Sequence, residues 1–314
     1  MIIKDDHPRS LMRRQVLKQL SALAGLIFIS PLNVQAKATE QRERIIPSSG
    51  ETLPVMGLGT ARTFDVGNVL GVLAPLREVM RLFVEQGGRL VDSSPMYGRA
   101  EAVVGDLVAD LGIGDKLFYA TKVWTTGRLQ GIEQIESSFR LMRTPVIDLM
   151  QVHNLVDTQT QLTTIRERMK EKRIRYVGVT HYSSGAFDEL EQLMREEKID
   201  FVQVPYSIAN RAAEKRLIPA AADQGVALIA HRNFEKGRLF QKVRGKPLPK
   251  WADEFDCQSW GNFFLKYLIG DPRVTSVIPA TRKPWHLTDN MHAGLGRLPD
   301  DKLRRRMVRL IDEL

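Results

Sequence analysis

Asp92, Tyr97, Lys122 and His153 are four side chains whose types together can deliver a proton to an oxygen. An ammonium such as Lys122 is costly away from water unless a carboxylate pairs with it, and Asp92 can be that partner. The held charge would favour the phenolate of a nearby Tyr97 and so lower the pKa of the phenol toward a usable range for proton donation. His153 would orient or polarise the oxygen that receives the proton. The set contains no electron source, so if it acts on a carbonyl, a hydride must come from a bound cofactor. Taken singly, Asp92 and Lys122 would pass for an ordinary strand-end ion pair. Their spacing relative to Tyr97 and His153 favours chemistry.

The elements that must bring them together form a repeat. "RLVDSS" (89–94), "LFYATKV" (117–123), "VIDLMQVH" (146–153), "IRYVGVTH" (174–181), "DFVQVPYS" (200–207), "VALIAHRN" (226–233) and "VTSVIPAT" (274–281) are short apolar runs, each followed by a helix-like segment. Continuous apolar strands separated by helices indicate parallel strands buried on both faces. With "VMGLGT" (55–60) as the first, eight strand–helix units predict a single-domain α/β fold, a (β/α)8 TIM barrel over 39–314. A doubly wound open sheet is the alternative. It should carry a glycine fingerprint for a dinucleotide, and neither G-x-G-x-x-G nor G-x-x-x-x-G-K-[ST] occurs. Asp92, Lys122, His153 and His181 end successive strands at intervals of 30, 31 and 28 residues. In a closed barrel those ends converge on the face where active sites lie.

The chain has 314 residues, 43% hydrophobic and 26% charged, a balance typical of soluble globular proteins. One cysteine, Cys257, excludes an intramolecular disulfide and a thiolate metal cluster. The formal charge is +9, of which residues up to Ala38 contribute a net four, with Lys4, Arg9, Arg13, Arg14, Lys18 and Lys37 against Asp5 and Asp6. The modest excess left on the body suits anionic small ligands such as phosphates. No basic arm or aromatic-interleaved surface points to nucleic acid.

Met12-Arg13-Arg14-Gln15-Val16-Leu17-Lys18 is similar to a twin-arginine export signal, with an apolar stretch from Leu17 to about Ile29. Small residues at Val34-Gln35-Ala36 or Ala36-Lys37-Ala38 offer cleavage sites. The stretch is too short and too interrupted for a span of about 20 apolar residues, so no stable membrane span is expected in the mature protein. Residues 1–38 are therefore expected to be a signal peptide, the export machinery a partner, and the periplasm the destination of an already folded chain. A basic amphipathic helix is the plainer reading of the same stretch.

Across nearly the whole body the chain resembles the aldo-keto reductase family. "LPVMGLGTAR", "LVDSSPMYGRAEAVVGDLV", "YATKV", "DLMQVHN", "RYVGVTH", "DFVQVPYS" and "SVIPATRKPWHLTDNM" match its landmarks in order. The resemblance implies Tyr97 as general acid, Lys122 and Asp92 as its tuning pair, and His153 as the group that orients a small aldehyde or ketone. It implies NADP(H) as cofactor, with NAD(H) as the alternative, and a nicotinamide at the barrel mouth. It implies Gly59, Thr60, Asp92, Thr180, His181, Gln203, His231, Arg232 and Pro279 as cofactor-binding residues. Gln203 matches the amide that holds the carboxamide. Lys236 and Arg238, in the basic stretch 235–251, match the loop that folds over the pyrophosphate, whose oxygens favour such cations.

The chain also departs from the pattern. Thr180-His181 stands where Ser-Asn is common, and His231 where an aromatic usually stacks on the nicotinamide. Ala280 follows Pro279 where a lysine is often found, and His286 replaces an arginine for the 2′-phosphate. Thr281, Arg282 and Asn290 remain as adenosine-side contacts, with Arg282 the natural cation. Trp124, Trp251, Trp260 and Trp285 suit packing, although Trp124, close after Lys122, could also line the pocket. The short C-terminal helix in "DDKLRRRMVRLIDEL" implies an open substrate pocket.

Two other readings stay open at this level. His153, His181 and His231 end three strands, and neutral imidazoles so spaced could ligate zinc in a metal-dependent hydrolase, although no H-x-H stands on an early strand. Export would also separate the protein from reduced nicotinamide, which leaves room for an exported dinucleotide-binding protein with little turnover.

Overall fold

The computed structural model describes residues 40–314 apart from Asn68 and the side chain of Leu70. The expected leader, 1–38, lies outside the described residues. The described chain begins with a hairpin of β1 (Glu43–Ile45) and β2 (Thr52–Pro54), antiparallel with Arg44 opposite Leu53. Sequence patterning did not reveal it, because strands of three residues carry no readable alternation.

The repeat then runs as β3 (Leu58–Gly59), α1 (Leu70–Glu85), β4 (Leu90–Asp92), α2 (Ala100–Leu111), β5 (Phe118–Val123), α3 (Arg128–Leu141), β6 (Ile147–His153) and α4 (Thr158–Lys170). It continues through β7 (Ile174–Thr180), α5 (Phe187–Glu196), β8 (Phe201–Pro205), α6 (Ala212–Lys215), α7 (Leu217–Asp223), β9 (Ala227–His231) and α8 (Arg238–Lys242). The last elements are α9 (Trp260–Ile269), β10 (Ser276–Val277), α10 (Pro284–His292) and α11 (Asp301–Glu313). Eight parallel strands follow one another in chain order from β3 to β10, as expected. Parallel bridges Met56–Val277 and Gly59–Ala280 bring the first strand back to the last, so the sheet closes as a (β/α)8 barrel.

Strand parity decides what fills the barrel. Leu90, Phe118, Ala120, Leu149, Tyr176, Phe201, Ala227, Ile229 and Ile278 form one apolar cluster inside it, joined from the hairpin by the fully buried Ile46 and Leu53. Their neighbours one residue along, such as Val91, Met150, Val177, Val202 and Leu228, belong to a second cluster shared with the helices. Full burial of such a side chain contributes roughly 1.5–3 kcal/mol, so both faces of every strand hold the register. The hairpin is fastened by Arg44, whose guanidinium donates to the carbonyls of Ile269, Asp271 and Val274.

Helix ends follow local chemistry. Asp300 caps α11 by accepting from Leu303 N at 2.8 Å, and Ser259 caps α9 by accepting from Asn262 N at 2.9 Å. The helix α11 docks through Met307 and Ile311, and its Arg304 reaches Glu214 (3.0 Å) and Tyr206 Oη (2.9 Å). The basic stretch after β9 is more ordered than a solvated loop, since it contains α8 and a 3-10 turn at Lys250–Phe255. No helix among the described residues is long and apolar enough to cross a membrane.

Candidate active site

Two residues beyond the apolar interior row, on the same inward face, the strands change to polar side chains. Leu90 gives way to Asp92, Ala120 to Lys122, Leu149 to Gln151 and then His153, and Phe201 to Gln203. All five polar residues are buried. A period of two therefore carries them all to the C-terminal mouth of the barrel.

Lys122 Nζ donates to both carboxylate oxygens of Asp92, at 2.8 Å each, and to the Ser93 carbonyl at 2.7 Å. Side-chain exposure of 1% and 3% makes this a truly buried pair. Asp92 is satisfied from two further directions by Gln151 Nε2 (3.3 Å) and Gln203 Nε2 (3.4 Å). Thr60 Oγ1 donates to the Asp92 carbonyl at 3.0 Å. Burial pulls the ammonium of Lys122 toward neutrality, but the charge of Asp92, followed by that of Tyr97, outweighs it, and its pKa ends above the ordinary lysine value. Lys122 stays charged.

Tyr97 is placed by a 3-10 turn, Pro95–Tyr97. Ser94 opens the turn by accepting from Met96 N at 3.1 Å, and Pro95 fixes the first backbone angle. Gly98 closes it with φ +59°, where a Cβ would stand 2.4 Å from the Asp65 carboxylate. The Lys122 ammonium lies 5.3 Å from the Tyr97 ring centroid. The expected lowering of the phenol pKa does not follow. Burial pushes it up, and although Lys122 pulls it down, Asp92 cancels much of that field, leaving it above the ordinary value. A phenol that remains protonated is a proton donor held ready.

His153 meets Tyr97 edge to face, with centroids 6.0 Å apart, and Trp124, 40% exposed, flanks it at 6.4 Å. Burial, aided by the positive charge of Lys122, pushes the imidazole down to about 3, so it is neutral. Its Nδ1 lies 3.0 Å from Ser94 Oγ.

His181 and His231 do not join His153 in a metal cluster. His181 Nδ1 accepts from Ser183 N (3.1 Å), and His231 Nε2 pairs with the His181 carbonyl (3.2 Å). Among the described residues no three potential ligands stand close enough to hold a metal ion. His231 is held below its ordinary pKa by burial, with Arg232 and Lys122 acting in the same direction.

The other expected contacts spread from this mouth. Gly59 ends β3, Thr180 ends β7 and is buried, and Arg232 follows β9 with its guanidinium 5.3 Å above the exposed Tyr182 ring. Lys236, in a 3-10 turn, and Arg238, which opens α8, are exposed after β9, and Arg238 also pairs with Glu235 at 3.1 Å. Pro279 follows β10, and Thr281 Oγ1 accepts from Lys283 N at 3.1 Å. Arg282 and His286 are exposed beside and on α10, whereas Asn290 is buried in it. Gln203 Oε1 is buried and has no hydrogen-bond partner among the described residues, its amide nitrogen being spent on Asp92. An amide donor such as a nicotinamide carboxamide would satisfy it, so the mouth fits that group.

Residues 55–307, most of the chain, match the sequence profile described as Aldo/keto reductase family. The chain belongs to that family. It is 26% identical over 181 residues to aldo-keto reductase YhdN of Bacillus subtilis, a match covering 53% of this chain and 54% of that protein. It is 28% identical over 206 residues to methylglyoxal reductase YeaE of Escherichia coli, covering 63% of this chain and 71% of the relative. The chain thus spans about half the length of the first of these curated relatives. In fold, this aldo/keto reductase resembles one from Klebsiella pneumoniae in complex with NADP and acetate, with TM-score 0.74, 21% identity, and 86% and 95% of the two chains covered. It also resembles one from Bacillus halodurans in its holo form, with TM-score 0.71, 19% identity, and 87% and 96% covered.

Sequence reasoning missed two members of the site. Gln151 stands two residues before His153 and Ser94 two after Asp92, and both were legible through the same alternation that placed their neighbours. An amide or hydroxyl simply attracts less notice than a charged group.

Proposed function

We propose that this chain is an NAD(P)H-dependent oxidoreductase that reduces a small aldehyde or ketone, or oxidises the alcohol in reverse, with NADPH as cofactor and NADH as its alternative. The observation that carries the reading is the doubly bonded Asp92–Lys122 pair beside a protonated Tyr97 and a neutral His153 at a barrel mouth. A dihydronicotinamide bound there supplies the hydride. Gln203 Oε1, buried and without a partner among the described residues, would hold the carboxamide of such a cofactor. His153 orients the carbonyl oxygen, and Tyr97 gives that oxygen its proton. Lys122 remains cationic and stabilises the charge that then develops on Tyr97. The family profile supports the class, and NADP or NADPH in structures of similar fold supports the cofactor. Relatives named methylglyoxal reductase and L-glyceraldehyde 3-phosphate reductase in Escherichia coli support a small aldehyde as substrate. Titration of the full chain with NADPH and then NADH, followed by tryptophan quenching, tests it. Saturable binding supports the reading, and binding of neither contradicts it.

The export reading rests on Met12–Lys18 and the apolar run behind it. The chain would use the twin-arginine route, fold before crossing and act in the periplasm after losing residues 1–38. Replacing Arg13 and Arg14 together by lysine should hold the full chain in the cytoplasmic fraction of a bacterium that has the route. Unchanged distribution would contradict it.

A further inference from the structure

Ser94 has work left after its backbone role. Its Oγ, fully buried, touches two partners, Met96 N at 3.1 Å and His153 Nδ1 at 3.0 Å. A hydroxyl accepts twice and donates once. The Met96 amide can only donate, so it takes a lone pair and leaves the hydroxyl proton to be placed. Among the described residues, Nδ1 of His153 is the only other partner of Ser94 Oγ. If the ring donated instead, the hydroxyl proton would be buried without an acceptor, which is unfavourable. The proton therefore points at Nδ1, and that nitrogen carries none of its own.

We propose that Ser94 is a positioning residue for carbonyl reduction: its hydroxyl proton occupies His153 Nδ1 and fixes the ring as the Nε2–H tautomer, a donor toward the substrate oxygen. A neutral ring has a single proton to place, and the ring's hydrogen bond to Ser94 Oγ is made at Nδ1, not at Nε2. The opposite tautomer would present a lone pair to the carbonyl oxygen and repel it. Burial keeps the ring neutral, so the choice between the two tautomers matters at every working pH. The inference rests on the reading that His153 faces the carbonyl oxygen.

The test compares wild type, Ser94→Ala and Ser94→Thr as full chains with histidine labelled in nitrogen-15, the His153 signals being assigned by their loss in His153→Gln. Wild type should show the Nε2–H pattern, Ser94→Ala a mixture of tautomers, and Ser94→Thr a return to Nε2–H. With methylglyoxal as probe substrate, kcat/KM should fall roughly tenfold in Ser94→Ala, the equivalent of one hydrogen bond. NADPH affinity should not change, and Ser94→Thr should recover most of the loss. A wild-type Nδ1–H pattern overturns the proposal, whether or not either variant folds. So does Ser94→Ala with a pure Nε2–H pattern. Unaltered turnover in His153→Gln would instead overturn the underlying reading of the site.

Discussion

Lys122 and Asp92 share two hydrogen bonds of 2.8 Å in a setting almost closed to water, and this pair rather than either residue alone sets the field at Tyr97. Desolvation is the largest influence on the phenol, and with Asp92 opposing the pull of Lys122 its pKa rises. The ammonium matters after proton transfer, when a phenolate would otherwise stand unpaired in a buried place.

Tyr97→Phe removes the proton donor and little else. Turnover should fall by about 10²–10⁴-fold, the range for one general acid, with NADPH affinity nearly intact. Steady-state kinetics beside a fluorescence titration checks both halves. Unaltered turnover would remove Tyr97 from its role.

Breaking the pair exposes its cost. Lys122→Met leaves a buried carboxylate without its cation and should destabilise the fold by about 3–5 kcal/mol. Adding Asp92→Asn should return much of that loss, since the double variant buries no charge. Denaturant unfolding of the two single variants and the double variant measures the coupling, and strict additivity would show that the pair is not coupled.

His153 and Tyr97 together predict a flat pH profile. The imidazole is held at about 3, so it gains no proton between pH 5 and 8, and the phenol, raised above its usual value of about 10, keeps its own. The profile of kcat/KM should therefore be level across pH 5 to 8. An inflection near 6.5 that disappears in His153→Gln would show the ring to be exposed and titrating.

Away from the site, Lys266 is fully buried and donates only to carbonyls, Leu295 O at 2.7 Å and Arg297 O at 2.8 Å. Burial lowers its pKa to about 8 from 10.5. Between those values the unfolded chain binds the proton and the folded chain does not, so this group adds stability as pH rises from about 8 toward 10.5, up to about 3 kcal/mol. Cys257, pushed up to about 12 by burial, works in the opposite sense over part of that window. The sound measurement is thus the unfolding free energy of wild type minus that of Lys266→Met at each pH. That difference should climb with pH, and a flat difference would contradict the assignment.

Much of this was readable from the chain because burial on both faces forces strands such as 117–123 and 146–153 into continuous apolar runs, ending where a charge appears. Asp92, Lys122 and His153 were therefore placed correctly at the mouth from spacing alone. The sense of the Tyr97 shift was not readable, since it depends on the Lys122–Asp92 distance and on burial, neither of which a sequence states. Strands β3 and β10, with two paired residues each, were placed by the repeat rather than by their own pattern. His153 and His231 end β6 and β9 and His181 directly follows β7, near the strand ends expected, but which nitrogen each commits is a rotamer and hydrogen-bond matter. That is what removed the basis for a metal site.

The central claim is hydride delivery to a carbonyl carbon with Tyr97 supplying the proton. The direct measurement is a reaction of the full chain with methylglyoxal and NADPH bearing deuterium at the transferable position, followed by mass spectrometry of the alcohol. Deuterium on the carbinol carbon with wild type, and formation of the same labelled alcohol slowed about 10²–10⁴-fold in Tyr97→Phe, is the predicted result. Alcohol formed without deuterium, or formed at an unaltered rate by the Phe variant, would contradict the account.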